Sequence, residues 1–325
     1  MQKKFSPKLS QLIEVLSDGE FHDGTALGVV LQMTRSAVWK MIKKLERYDI
    51  EINSVKGRGY ALCEPIILLD VQKIREQLTE PDAHIELFES IDSTNEYFRS
   101  ECRQQDVSFC LAEQQTQGRG RLGRAWHSPF GKNIYLSCSY PFQKDISELA
   151  GLSLVVSLAM VRTLKQFGLD EQLHVKWPND IICQGKKISG TLIEVHAESH
   201  GMSHAIIGVG LNVNMLIDTR RQVTQPWTSM RCVGGKYLDR NTVAAALMNH
   251  LLDYMRRFDR EGFKVFVDEW VASECMQGQQ VSLKAGVNTV TGEAVGINAQ
   301  GHLLLMMADG EVRAFSSGDT SISKK

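Results

Sequence analysis

The amino-acid sequence predicts a multidomain α+β protein, and three observations carry that reading. Residues 1–64 hold three helix-spaced apolar runs followed by two short strands around a basic turn. Residues 65–274 mix strand and helix patterns without strict alternation, which favours α+β over a doubly wound sheet. Residues 275–325 hold only short strand-like runs parted by Gly- and Asn-bearing turns, the pattern of a small all-β barrel. A chain of 325 residues accommodates two or three such units.

In the first unit Leu9, Leu12, Ile13 and Leu16 recur at helical spacing, and Gly19 ends that helix. A short helix is predicted over Thr25 to Leu31. Thr34 then stands where an N-cap belongs, and Val38, Met41, Ile42 and Leu45 make the buried stripe of a third helix. Its other face carries Arg35, Ser36, Lys40, Lys43 and Lys44. Glu51–Val55 and Tyr60–Leu62 flank Lys56-Gly57-Arg58-Gly59, a hairpin with a basic tip. Three helices and such a hairpin make a winged helix-turn-helix. Lysines on a helix face are ordinarily just solvated, but this conjunction points to DNA. Thr34, Arg35 and Ser36 open the helix that faces base edges, with Lys40 and Lys43 behind them. Lys56 and Arg58 are expected on phosphate or in the minor groove.

Bulk properties exclude several classes. A 43% apolar and 23% charged chain is that of a globular protein. Its net charge of −1 rules out a chain that is basic throughout, although residues 1–65 carry ten Lys/Arg against eight Asp/Glu. Seven scattered cysteines without a C-x-x-C pair argue for reduced thiols in a cytoplasmic protein. The most apolar stretch, Leu149 to Val161, is too short to span a bilayer, and no signal-peptide run opens the chain.

Glu64-Pro65 marks a boundary. Asp70 can cap a short helix over Val71–Leu78. Strands are predicted at His84–Glu89, Ser108–Glu113, Asn133–Ser139, Ile181–Cys183, Lys187–Val195 and Ala205–Val213. Helices are predicted near Ser93, from Ser147 to Phe167, from Asn241 to Phe258 and from Phe263 to Ala272. In the last unit strands are expected at Val281–Lys284, Ala294–Asn298, Leu303–Met307 and Val312–Phe315.

The most informative motif is Gln117-Gly118-Arg119-Gly120-Arg121-Leu122-Gly123-Arg124. Glycines free the backbone to bend around a ligand, and arginine forks suit phosphate or carboxylate. The glycines also fit G-x-G-x-x-G, but turn-forming residues follow instead of a helix, so the dinucleotide reading fails. An anion-binding loop and a solvated basic loop both remain open. Ser93 and Glu96 have capping-box spacing, which alone could explain Ile91-Asp92-Ser93-Thr94-Asn95. Lys176-Trp177-Pro178-Asn179-Asp180 is turn chemistry that could equally meet a nucleotide. Lys186-Lys187-Ile188-Ser189-Gly190 is a basic hairpin arm. Gly208-Val209-Gly210-Leu211-Asn212 reads as strand whose paired glycines permit close approach of a ligand.

Taken in order, these five segments resemble the biotin–protein ligase family, over essentially the whole chain. The N-terminal winged helix and C-terminal barrel match its bifunctional bacterial type, which is also the biotin operon repressor. The resemblance implies a class II synthetase-like catalytic domain at residues 65–274 and an SH3-like barrel at 275–325. It implies an ATP-dependent ligase that forms biotinyl-5′-adenylate and passes biotin to a lysine of the carrier domain of acetyl-CoA carboxylase. Substrates would be biotin and Mg2+-ATP. Partners would be the biotin carboxyl carrier protein, operator DNA, and a second subunit when the adenylate is bound. By the same resemblance, Ser93, Thr94, Asn95 and Gln115 meet the biotin head, and Arg119, Gly120 and Arg121 form the loop over the adenylate. Lys187 touches the biotin carboxylate and α-phosphate and, with Arg121, is assigned the catalytic role. Arg124, Asn179, Asp180, Asn212 and Trp227 stand on the nucleotide side, Asp180 also as a metal ligand. The C-terminal segment departs from the family where it reads Ala314-Phe315-Ser316-Ser317-Gly318 in place of an aromatic and paired glycines.

Two other readings stay open at this point. One is a ligand-sensing transcription factor without transfer activity. The other is a lipoate–protein ligase, whose acid carries an apolar dithiolane instead of a ureido ring.

Overall fold

The structure, a computed structural model, describes residues 4, 6–100, 106–170, 173–197, 202–216, 223–285 and 288–322. The first unit folds as its periodicity dictates: α1 (Pro7–Leu16), α2 (Gly24–Val30), α3 (Arg35–Arg47) and the hairpin β1 (Ile52–Val55) and β2 (Gly59–Leu62). Thr34 caps α3, its hydroxyl accepting from Ala37 N. Val38, Ile42 and Leu45 of α3 are buried against Leu9, Leu12, Ile13 and Leu16. Gly59, at φ +108°, lets the wing lie on the turn before α2, since a Cβ there would stand 2.0 Å from the His22 carbonyl oxygen.

One expectation fails here. Lys44 does not belong to the free face of α3: its Nζ lies 2.5 Å from Glu89, a buried carboxylate of the central domain. Tyr48 donates to the same carboxylate at 2.5 Å and stacks on Phe130, ring centroids 4.6 Å apart. Burial, then Glu89, hold the Tyr48 phenol well above the usual tyrosine value, so it remains a donor. The C-terminal end of α3 is thus seated on the central domain.

The central domain is a seven-stranded sheet in the order β3-β4-β5-β9-β8-β7-β6, parallel only between β3 (His84–Phe88) and β4 (Ser108–Ala112). β5 spans Ile134–Phe142, β6 Leu173–Lys176, β7 Asp180–Cys183, β8 Lys186–Ala197 and β9 Ser203–Leu211. Alternation along the strands separates two faces. Phe109, Leu111, Ile207 and Val209 join the core beneath α6 (Leu152–Gln166) and α8 (Arg240–Glu261). Cys110, Ala112 and Ile206 pack on the other face with Phe98 of α5 (Thr94–Ser100). α4 (Val71–Arg75), capped by Asp70, packs on α8, α7 spans Met230–Gly234 and α9 spans Val267–Ser273. The helix expected from Ser147 is interrupted: a 3-10 turn at Ile146–Leu149 is parted from α6 by Gly151 at φ +85°. Phe263 sits 2.6 Å from the point where a Gly151 Cβ would stand, so that corner admits only glycine.

Arg240 and Glu113 are paired at 2.6 Å with both side chains fully buried. Arg240 also donates to the carbonyls of Asn133 and Ile67, and Glu113 accepts from Leu69 N. The pair therefore anchors the segment leaving the N-terminal unit. Arg240→Met should cost about 3–5 kcal/mol of unfolding free energy in urea titrations, because it strands a buried carboxylate. The double variant Arg240→Met/Glu113→Leu should cost less than Arg240→Met alone.

The C-terminal unit is a five-stranded antiparallel sheet in the order β13-β12-β11-β10-β14. β10 (Gln280–Ala285), β11 (Asn288–Ile297), β12 (Leu303–Met306) and β13 (Val312–Phe315) match the expected strands, and β14 (Asp319–Ile322) was not foreseen. Among the described residues no pairing joins β13 to β14, so ring closure is not seen. Val281, Leu283, Ala294, Leu303 and Leu305 share the core of the central domain.

Candidate active site

A cavity of about 810 Å3 opens on the α5 side of the large sheet. The segments around Ile91 and Gln115 run side by side, and Thr94 N and Oγ1 lie 2.9 and 3.1 Å from Gln115 Oε1. Gln115 Nε2 donates to Ser128 Oγ, which donates to the Trp126 carbonyl. Ser93, Thr94 and Asn95 all line the cavity while being nearly buried. Glu96 does not close a capping box with Ser93; its carboxylate pairs with Arg99 and Arg119.

Lys187 stands across from this wall. Its Nζ lies 2.6 Å from Asp180 Oδ1 and 5.4 Å from the centre of the Trp126 ring. It packs close over Gly190, where a Cβ would stand 2.9 Å from Lys187 Cε. Lys186, the preceding residue, is exposed. A parallel bridge places Trp227 beside Lys187, and Asn212 holds the carbonyl of Thr228.

The arginine loop forms the rim. Arg119 and Ala125 pair antiparallel, and Arg121–Gly123 make one 3-10 turn with Leu122 at φ +55° and Gly123 at φ +70°. No helix follows, in keeping with the failed dinucleotide pattern. Arg121 reaches inward and donates to Asn179 Oδ1 at 3.3 Å. Burial pulls its guanidinium below the usual arginine value, and Asp319 and Asp180 oppose that shift. Arg124 is paired with Asp319 of β14.

Two readings of the motifs change in the fold. Gly208 and Gly210 admit protein groups: a Cβ on Gly208 would stand 2.2 Å from Asn95 Oδ1, and one on Gly210 2.3 Å from the Trp126 ring. Trp177 is buried away from the cavity, donating to the Gly301 carbonyl and accepting from Thr320 Oγ1 through its own carbonyl. It ties the C-terminal unit to the central one, while Asn179 and Asp180 face the cavity. Arg124, Asn179, Asp180, Asn212 and Trp227, expected on the nucleotide side, are all on the cavity wall.

The geometry can be set beside known proteins. Residues 87–212 match the Biotin/lipoate A/B protein ligase family, residues 8–61 an HTH domain, and residues 277–323 the Biotin protein ligase C terminal domain. The chain is 36% identical over 313 residues, 96% of each chain, to the "Bifunctional ligase/repressor BirA" of Escherichia coli strain K12. This chain belongs to the bifunctional biotin ligase/repressor family. A Bacillus subtilis member is 29% identical across 316 residues, covering 94% of this chain and 96% of that one. The Aquifex aeolicus biotin protein ligase in complex with biotin and ATP superposes with a TM-score of 0.64 at 28% identity, covering 74% of this chain and 99% of that one.

Within this family fold, the cavity residues and supports that escaped the sequence reading include Trp126, Ser128, Ser137, Glu194 and Asp319. Trp126 had a usable signal, an aromatic just past the arginine loop and a glycine strand with room for a ring. Asp319 had none, because 195 residues separate it from Arg124. Of the residues expected to meet DNA, Thr34, Arg35, Ser36, Lys40, Lys56 and Arg58 are exposed. Lys43 pairs with Glu46 at 2.7 Å, and the Arg58 guanidinium stacks on Phe21 at 4.3 Å.

Proposed function

We propose that this chain is an ATP-dependent ligase that makes biotinyl-5′-adenylate and transfers biotin to a lysine of the biotin carboxyl carrier protein. It also represses the biotin operon with the adenylate as corepressor. The observation that carries the ligase reading is Lys187, held between Asp180 and Trp126 at the centre of a cavity with a polar end and an arginine rim. In the first step a biotin carboxylate oxygen attacks the α-phosphorus of ATP and pyrophosphate leaves. Two anions must meet, so the site needs a cation between them and a preorganised environment. Lys187 supplies the cation, and Arg121 offsets charge on the phosphate. In the second step the acceptor amine attacks the acyl carbon of the mixed anhydride, AMP leaves, and the amine loses a proton. Thr94, Asn95 and Gln115 orient the ureido head, with Ser93 beside them. Arg119 and Gly120 shape the loop over the adenylate, while Arg124, Asn179, Asn212 and Trp227 face the nucleotide.

Among the described residues no three His, Cys, Asp or Glu side chains gather as a metal cluster. Mg2+ needs only one or two carboxylates when phosphates and water complete its shell, so Asp180 fits as its protein ligand. Bound there, the ion would neutralise phosphate charge.

The polar wall favours biotin over lipoate, because a dithiolane ring offers it no hydrogen-bond donor. Lys187 and the arginine loop together favour transfer chemistry over a ligand sensor without it. Incubation with ATP, biotin and an acceptor carrier domain, read by mass, tests the reading: an acceptor of unchanged mass would refute it. The central sheet with its covering helices is read as class II synthetase-like, and the C-terminal sheet as an SH3-like barrel. Among the described residues no helix is long and apolar enough to cross a membrane, and a cytoplasmic enzyme fits the reduced cysteines.

Residues 118–124 are expected to exchange backbone hydrogen rapidly without ligand and more slowly with biotinyl-adenylate. Hydrogen exchange read by mass checks this, and equal exchange in both states counts against closure of the loop. A surface completed only when ligand orders such a loop can join two subunits, so the repressing form is a homodimer.

A further inference from the structure

Glu194 of β8 lies outside the residues that any motif singled out. Its Oε2 accepts from Asn95 Nδ2 at 2.9 Å, and the second amide proton goes to the Leu192 carbonyl at 3.2 Å. A carboxylate and a carbonyl can only accept, so chemistry permits one placement of this amide. Its nitrogen faces β8, and its Oδ1 faces Ser137 of β5 at 2.6 Å. Ser137 Oγ also stands 2.7 Å from Thr94 Oγ1, which is 3.1 Å from Gln115 Oε1. Gln115 is likewise fixed, because the Thr94 N–H can only donate and stands 2.9 Å from its Oε1.

These contacts cannot all be hydrogen bonds. The Ser137 and Thr94 hydroxyls bring two protons to three oxygen–oxygen contacts, whose outer ends are both acceptors. One contact lacks a proton whatever the hydroxyl rotamers. An N–H arriving from a ligand relieves it. If Asn95 turned over, its NH2 would face Ser137 and the shortage would vanish, along with the wall's appetite for a donor. The charged bond from Glu194 opposes that turn more strongly than the carbonyl of Leu192 alone.

We propose that Glu194 is a positioning residue for biotin: it locks the Asn95 amide so that the wall at Thr94, Asn95 and Gln115 stays short of a proton and selects a cyclic urea. The proposal rests on the reading that the ureido head binds at this wall. Glu194 is 30% exposed and makes a longer contact of 3.6 Å with Arg99, so its loss should not empty the core.

Pyrophosphate release, followed against biotin and against ATP, tests it. Glu194→Ala should raise the biotin KM on the order of tenfold, the scale of one buried hydrogen bond. The kcat and the ATP KM should stay within about twofold, the signature of lost uniform binding. Glu194→Gln keeps an acceptor oxygen and should restore most of the affinity. Asn95→Ala should raise the biotin KM, and adding Glu194→Ala to it should do no further harm, since the effect passes through Asn95. Arg99→Ala should leave the biotin KM unchanged. A normal biotin KM in Glu194→Ala beside a raised one in Asn95→Ala overturns the role of Glu194. A normal KM in Asn95→Ala overturns the reading of the ureido wall, and the proposal with it. An equal rise in the ATP KM, or an equal effect of Arg99→Ala, means that Glu194 holds the structure or the ion pair, not the amide.

Discussion

Lys187→Ala is expected to slow adenylate formation by on the order of a hundredfold or more while leaving the fold intact, the scale of losing a charge contact made in the transition state. The side chain is partly exposed to the cavity and supports no core packing, so its removal should not unfold the domain. Its electrostatic effect is double. The variant would lose the cation proposed to bring a carboxylate and an α-phosphate together, and it would leave the Asp180 carboxylate without its lysine partner. Lys186→Ala is the internal control, because that lysine is exposed and absent from the cavity wall. Pyrophosphate release at saturating biotin and ATP is the measurement, with circular dichroism as the check on folding. Near-normal release by Lys187→Ala would remove this lysine from the mechanism.

Operator binding is expected to tighten with biotin and ATP present, by on the order of a hundredfold, and to depend on protein concentration. A single winged helix reads a short half-site, and two half-sites held by a symmetric dimer discriminate far better. The local charge excess of the N-terminal unit is small, so one unit alone should bind weakly at physiological salt. The structure adds a reason why the ligand can be felt. Tyr48 at the end of α3 stacks on Phe130, seven residues after the arginine loop turn at Gly123, and shares Glu89 with Lys44. Removing residues 1–64 would therefore bare Phe130 and Ile66, which share its core. Substitution at Arg35 is the cleaner way to separate DNA binding from catalysis. Arg35→Ala should lose specific DNA binding and keep adenylate formation. Binding curves that coincide with and without ligand, and stay first order in protein, would falsify the repressor reading.

Much of the site was legible because its chemistry is local in sequence. The arginine loop stands out by residue type and spacing. Thr94 with Asn95, Asn179 with Asp180, and Lys187 stand out through the family resemblance of their segments, and the fold gathers them around one cavity. Other features were misread because their partners are distant. Gly208 and Gly210 do line the cavity, but the room left by their missing side chains is taken by Asn95 and Trp126. Trp177 looks like a nucleotide contact until Gly301 and Thr320 are found around it. Lys44 looks solvated until Glu89 arrives from another domain.

By itself the sequence determined the three-unit order, the helix stripes and caps, and the types of charge at the site. Those depend on periodicities of a few residues and on side chains that satisfy their own turn. Tertiary structure alone decided which carboxylate meets each cation, as with Asp180 for Lys187, Asp319 for Arg124 and Glu89 for Lys44. It also decided that the hydroxyls of Thr94 and Ser137 share too few protons. The reason is that hydrogen bonds and ion pairs act over a few ångströms of space, whereas Thr94 and Ser137 lie 43 residues apart, and Asn95 and Glu194 lie 99 apart.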